Sequence, residues 1–212
     1  MAYRFTKRVV DIVGSIFGLV VFSPLFLICA LAIKLTSRGP VLVEHSDRVG
    51  QGGKIFRMYK FRSMIKDAHI LIRTDPKLKK LYEQYRRNSF KLDNDPRVTS
   101  VGRFLRRTSL DELPQFLNVL KGDMSLVGPR AYYPDEIAEQ RKIYPQCRSD
   151  IETTLSVKPG MTGLWQVSGR SDIGFEKRID LDASYARAGS ILLDLKIILK
   201  TPSAVLKGEA VS

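Results

Sequence analysis

A chain of 212 residues can hold one globular unit with a proper core plus a membrane element. Its formal charge of +13 calls for a polyanionic partner, and nucleic acid, anionic lipid headgroups and nucleotide substrates all meet that condition. Two cysteines, Cys29 in an apolar run and Cys147 in a polar context, read as free thiols in a reducing compartment, while His45 and His69 stand too far apart for a zinc site.

Residues 12–33 are uncharged, apolar and broken in the middle by Ser23-Pro24. The run exceeds the ~7–15 residues of a signal-peptide core. As one helix it would cover ~33 Å, enough to span a bilayer core of ~30 Å. Pro24 costs ~3 kcal/mol in a helix interior and frees the carbonyl of Val20, which Ser23 could satisfy. The flanks favour a re-entrant hairpin: Arg4, Lys7 and Arg8 precede the run and Lys34, Arg38 and Arg48 follow it. A spanning helix should carry an excess of basic residues on its cytoplasmic side, and here the two sides tie.

Gly39-Pro40 ends the membrane element. Segments 41–45 and 54–61 flank Gly50-Gln51-Gly52-Gly53 and predict a β-hairpin. Helices follow over 64–73 and 77–88. The second carries Leu78, Leu81, Tyr82 and Tyr85 among many cations, so it either lies on an anionic membrane or turns an apolar stripe to the core. Short helices are expected over 99–107, 114–120 and 134–144, the last with acids in its first turn. The loop 158–163 leads to a predicted strand at 164–167, and helices over 175–187 and 191–206 close the chain. The last presents Leu192, Leu195, Leu199 and Leu206 near one face, suited to a core or to an interface.

The chemistry concentrates at 108–130, T-S-L-D-E-L-P-Q-F-L-N-V-L-K-G-D-M-S-L-V-G-P-R. Asp111 and Glu112 follow a basic run that includes Arg103, Arg106 and Arg107. Carboxylates beside arginines suit a site that handles a divalent metal and phosphate. Ser109 to Glu112 also matches a capping box, in which both acids only complement a helix dipole. Pro114 argues against that arrangement; with Pro114 at N1, both acids would precede the helix's positive end. Arg130 and Arg170 each follow a glycine-containing turn that could aim a guanidinium at phosphate. No RNA- or DNA-binding motif accompanies the charge, so nucleic acid is not the expected partner.

These segments resemble the bacterial sugar transferase family, the monotopic polyprenyl-phosphate phosphoglycosyl transferases. The likeness runs through Ser23-Pro24, K-F-R-S-M at 60–64, L-R-R-T-S-L-D-E-L-P-Q at 105–115 and G-D-M-S-L-V-G-P-R at 122–130. It continues through K-P-G-M-T-G-L-W-Q-V-S-G-R at 158–170 and L-D-A-S-Y at 181–185. The chain looks like the family's minimal catalytic form. Its expected fold is α/β, mainly helical with a small hairpin or sheet. Residues 1–38 would form the re-entrant membrane hairpin, and residues 39–212 one cytoplasmic domain with interfacial amphipathic helices.

The resemblance implies an enzyme on the cytoplasmic face of the bacterial inner membrane that moves a sugar 1-phosphate from a UDP-sugar to undecaprenyl phosphate, releasing UMP in glycan assembly. Mg²⁺ is the implied cofactor, the phospholipid bilayer is a partner, and a homodimer is left open. Asp111 would be the nucleophile and lie close to the metal, with Glu112 completing the dyad. Lys60, Arg62, Arg106, Arg130, Arg170 and Asp182 carry over as phosphate or nucleotide contacts. Two segments depart from the family pattern: Ala131 replaces a proline, and Tyr185-Ala186-Arg187-Ala188-Gly189-Ser190 lacks an Asn-Trp pair. The L-W-Q-V-S-G-R form resembles members that use galactose or glucose, which favours a hexose. The rivals are a UDP-N-acetylhexosamine donor and a non-catalytic membrane scaffold.

Overall fold

The computed structural model describes residues 2–43, 46–87, 92, 95–169 and 173–207. The apolar run forms two helices, α1 (Ala2–Val21) and α2 (Ser23–Thr36), that bend by 61° at the break. Pro24 offers no N–H to Val20, and the Ser23 hydroxyl donates to that carbonyl at 2.8 Å instead. Among the described residues no single helix is long and apolar enough to cross a membrane; the bent pair meets that test only together.

One face of α1 is docked on the rest of the molecule. Gly14 and Gly18 admit Leu126 and Phe116 so closely that an added Cβ would lie 2.6 and 2.5 Å from them. Buried Asp11 accepts from the Ser125 hydroxyl and the Leu126 N–H, each at 2.9 Å. Arg8 donates to the carbonyls of Val119 and Leu120, and Lys7 pairs with Asp194. The opposite face exposes Phe5, Val13, Phe17 and Val20, a contiguous apolar stripe of the kind that marks a contact surface. Cys29 and Ile33 of α2 enter a core with Phe61 and Leu105, so both arms of the pair rest on the same body.

The hairpin forms with shifted strands. β1 (Asp47–Val49) pairs antiparallel with β2 (Ile55–Arg57), and the tight turn between them uses Gly52 and Gly53 at positive φ. Outside this ladder, Val43 and Arg62 still bond to the carbonyls of Lys60 and Val41 around a Leu42–Phe61 bridge. Part of the first predicted strand, 41–43, therefore pairs with 60–62 as an irregular extension of the hairpin; His45 lies outside the described residues.

Next come α3 (Ala68–Thr74), α4 (Lys79–Arg87), α5 (Ser100–Arg107), α6 (Gln115–Lys121), β3 (Ser125–Val127), α7 (Pro134–Ile143) and α8 (Arg148–Leu155). The chain closes with β4 (Gly160–Thr162), α9 (Leu164–Val167), α10 (Phe175–Ala188) and α11 (Ile191–Lys207). β3 and β4 pair in parallel, Ser125 opposite Gly160 and Val127 opposite Thr162. The strand predicted at 164–167 is instead the helical turn α9. Leu164 and Val167, three apart, both pack on the Val127–Tyr185–Ile197 cluster, which a helical turn permits and an extended segment does not. A short apolar run is ambiguous between the two periods.

Two amphipathic faces resolve differently. Leu81, Tyr82 and Tyr85 of α4 join Ile72 and Leu92 in a small core, so that stripe faces inward. On α11, Leu193, Ile197 and Ile198 take the core side, and Leu192, Leu195, Leu199 and Leu206 stay exposed.

Close approach at Gly102 sets the distance between α5 and the segment that carries Lys60. A Cβ there would stand 1.8 Å from the Ser63 carbonyl oxygen. Gly102→Ala is expected to force α5 away, destabilising the fold by roughly 2–3 kcal/mol. A melt in detergent that leaves the variant's midpoint unchanged would show that the contact relaxes freely.

Candidate active site

A cavity of about 270 Å³ lies where the hairpin's end, α5, the turn after β3, α9 and α10 converge. Asp111 and Glu112 reach it from a single 3₁₀ turn, Leu110–Glu112. Ser109 takes a left-handed φ of 55° and redirects the chain after α5; Leu113 and Pro114 stay helical and lead straight into α6. The Phe61 N–H donates to the Asp111 carbonyl at 2.9 Å, pinning this turn to the segment that carries Lys60.

Glu112 does not reach back to cap Ser109. Its carboxylate meets the Lys60 ammonium at 2.7 Å, and the same ammonium stands 3.9 Å from Asp111 Oδ2. The capping-box reading fails here because Ser109 is left-handed, whereas an N-cap residue is extended. Pro114 is the N-cap of α6 rather than its first helical residue, and both acids precede it as expected. Asp111 is buried, and burial raises its carboxyl to about pKa 6. Lys60 and Arg106 oppose that rise, while Glu112 adds to it.

Of the expected basic contacts, Lys60, Arg62, Arg106 and Arg130 all line the cavity. Arg106 donates Nε–H to the Ser63 hydroxyl at 2.9 Å. Arg62 is largely engaged elsewhere: it donates to the carbonyls of Pro40 and Ser37, tying down the exit of α2. Arg170 lies outside the described residues. Asp182 is fully buried behind the Gly-Pro-Arg turn, where one carboxylate oxygen accepts from the Arg130 backbone N–H at 3.1 Å and from the Tyr132 hydroxyl at 2.9 Å. It positions Arg130 rather than facing the cavity. Burial raises Asp182 to about pKa 7, against the Arg130 N–H and Tyr132 bonds.

Residues 2–208 match the family described as bacterial sugar transferase. The chain belongs to that family. It is 45% identical over 210 residues to the undecaprenyl-phosphate galactose phosphotransferase of Salmonella typhimurium, a match covering 97% of this chain and 41% of that protein. It is 41% identical over 210 residues to the UDP-glucose:undecaprenyl-phosphate glucose-1-phosphate transferase of Escherichia coli K12, covering 97% of this chain and 40% of that protein. The exopolysaccharide production protein ExoY of Sinorhizobium fredii is 40% identical over 204 residues, covering 94% and 85%. The chain spans about two-fifths of the length of the first two relatives.

In this family member the cavity also gathers residues that sequence reasoning passed over. Arg48, taken only as a flanking charge, is buried on β1 with its guanidinium 3.3 Å from the Tyr133 ring centroid. His69 sits nearby, its pKa lowered to about 3, first by burial and then by Arg48, so it is neutral. Arg178 of α10 enters one turn before Asp182, and that i, i+4 spacing was the available signal. Among the described residues no group of three or more His, Cys, Asp or Glu side chains is placed to ring a metal. The donors on hand are the two dyad carboxylates, a set that suits Mg²⁺, which commonly takes one or two carboxylates and completes its shell with water and phosphate oxygens.

Proposed function

We propose that this family member transfers a hexose 1-phosphate from a UDP-sugar to undecaprenyl phosphate and releases UMP, with Asp111 carrying the phospho-sugar between the two substrates. The observation that carries this reading is a buried aspartate held 3.9 Å from a lysine ammonium in a cavity whose other walls are arginine-rich. Seven lysines and arginines line that cavity against four carboxylates, so a diphosphate meets net positive charge.

The ionised Asp111 carboxylate attacks the phosphorus that bears the sugar. An O–P bond forms, the bridging P–O bond breaks, and UMP departs with the bonding electron pair. The lipid phosphate oxygen then attacks the same phosphorus, forming the lipid diphosphate sugar and returning the free carboxylate. Lys60 and Arg106 lower the repulsion between a carboxylate and a diphosphate, and Lys60 holds Glu112 beside the reacting group. Mg²⁺, held by Asp111 and Glu112, would supply further neutralisation of phosphate charge. The hexose assignment is supported by relatives named for galactose and glucose.

Placing one substrate in the bilayer explains the α1–α2 pair. From Asp11, anchored on β3, to the break at Phe22 is a rise of ~16 Å, about half of a ~30 Å hydrocarbon core. The pair would dip into one leaflet, with the exposed leucines of α11 offering further apolar contact. Labelling of cysteines introduced at both ends of the chain is expected to place them on the cytoplasmic side; protection on opposite sides would restore a spanning helix.

Purified protein given undecaprenyl phosphate, Mg²⁺ and a panel of UDP-sugars tests the reaction class and donor together. UMP release with UDP-galactose or UDP-glucose is expected. Release only with an N-acetylhexosamine donor would correct the sugar, and silence across the panel from folded protein would favour a scaffold.

A further inference from the structure

Arg178 has no role in the reading above, and its surroundings are unusual for a structural arginine. It is 7% exposed, yet its Nε has no hydrogen-bond partner among the described residues. One of its terminal nitrogens donates to the Ile173 carbonyl at 3.1 Å, and the other stands 4.0 Å from the carboxylate of buried Glu136. Arg130 shares the condition, with a buried Nε lacking a partner among the described residues. Both guanidiniums lie over the ring of Trp165, at 5.3 Å for Arg130 and 5.5 Å for Arg178. Both line the cavity that holds Asp111.

Two like charges are thus held against one ring, Arg178 buried and Arg130 half-buried with its Nε out of water. Burial, and next the charge of Arg130, depress the Arg178 pKa. Glu136 is the only carboxylate within 4.0 Å of either guanidinium among the described residues, and its Oε1 has no hydrogen bond among them. Asp182 commits one oxygen to the Arg130 backbone N–H and the Tyr132 hydroxyl, its buried Oδ1 has no partner among the described residues, and it makes no ion pair with either guanidinium among them. Buried charges are costly unless paired and hydrogen-bonded, and a planar guanidinium has donors in a fork that matches phosphate oxygens. The indole provides cation–π contact that keeps both groups in place. What the arrangement lacks is an anion with several oxygens.

We propose that Arg178 and Arg130, both set against Trp165, form a two-guanidinium clamp for the diphosphate of the donor. Arg178 is a binding residue of this site, and the assignment rests on the nucleotide-sugar reading. The clamp takes the oxygens of the diphosphate, leaving the sugar-bearing phosphorus to face Asp111. It needs the phosphates and not the base, so a nucleoside alone would leave it empty.

Trp165 is the chain's single tryptophan, so its fluorescence reports on this site directly. Titration of the whole protein with UDP is expected to give a saturable change in that fluorescence, and uridine none. Arg178→Met is expected to weaken UDP binding by roughly 10- to 100-fold, the loss of a charge-assisted bidentate contact, with Arg178→Lys recovering part of it. Uridine affinity, read by calorimetry, should not move.

Calorimetric UDP binding with silent Trp165 fluorescence would overturn the clamp while leaving the reaction untouched. So would unchanged UDP affinity in a folded Arg178→Met. If that variant does not fold, the wild-type titration and Arg178→Lys still decide. Absence of UDP binding by the wild type would instead count against the nucleotide-sugar reading itself, and the clamp would fall with it.

Discussion

Asp111→Asn is expected to lower turnover by about 10³-fold or more, because the amide cannot supply the attacking oxygen anion. The same substitution should leave the fold as stable or more so. An acid whose folded pKa is raised from 3.8 to about 6 weakens the fold once it ionises. That cost is absent below about pH 4, grows between about pH 4 and pH 6, and is constant above. Its size is on the order of 1–3 kcal/mol. Metal-free melts at about pH 8 should therefore place Asp111→Asn at or above the wild type, and the gap should close near pH 4. A variant that is folded and retains substantial turnover would remove Asp111 from the nucleophile's role. A variant that melts well below wild type at high pH would show that the carboxylate is structural.

Lys60→Met should be nearly as damaging, at about 10²-fold in kcat, because it removes the cation nearest the dyad. Lys60 is the strongest influence holding the Asp111 carboxyl down against burial. Its loss therefore drives that carboxyl further up. The nucleophile must be ionised, so activity rises with pH through this pKa, and the acid limb of kcat/KM should move to higher pH in the variant. Lys60→Arg should restore the limb more fully than the rate, since charge returns but geometry does not. An unmoved limb in Lys60→Met would mean that Lys60 does not govern the ionisation of Asp111.

Much of this arrangement was legible in the order of residues. The break at Ser23-Pro24, the basic residues tied across the apolar run, the adjacent carboxylates and the Gly-Pro-Arg turn all signal local chemistry, and local chemistry is written contiguously. The dyad could be placed before α6 because Pro114 restricts where that helix can start. What stayed hidden depends on contacts distant in sequence. Arg62 looked like a phosphate contact, and only the return of the chain past Ser37 and Pro40 gives it carbonyls to hold. Asp182 likewise looked like a substrate contact until the turn at Arg130 was seen resting on it.

Helix α8 went unread because Thr153 and Thr154 are weak helix formers, and burial of Ile151 overrides that preference. Trp165 was read on a strand because a four-residue apolar run carries no period of its own. The parallel pairing of β3 with β4 joins segments more than thirty residues apart through Gly128 and Gly160, where an added Cβ at Gly160 would lie 2.0 Å from the Gly128 nitrogen. Nothing local marks those two glycines as partners.

The most direct test of a phospho-sugar carried on Asp111 is a donor-only turnover. Wild-type protein is mixed with Mg²⁺ and UDP-galactose or UDP-glucose without any undecaprenyl phosphate, and UMP is followed together with the intact mass of the protein. One equivalent of UMP per active site is expected, with a hexose phosphate retained on the peptide containing Asp111 and discharged when the lipid phosphate is added. UMP that appears only after the lipid is supplied, from protein that never gains mass, would mean direct transfer between the substrates and would contradict the account.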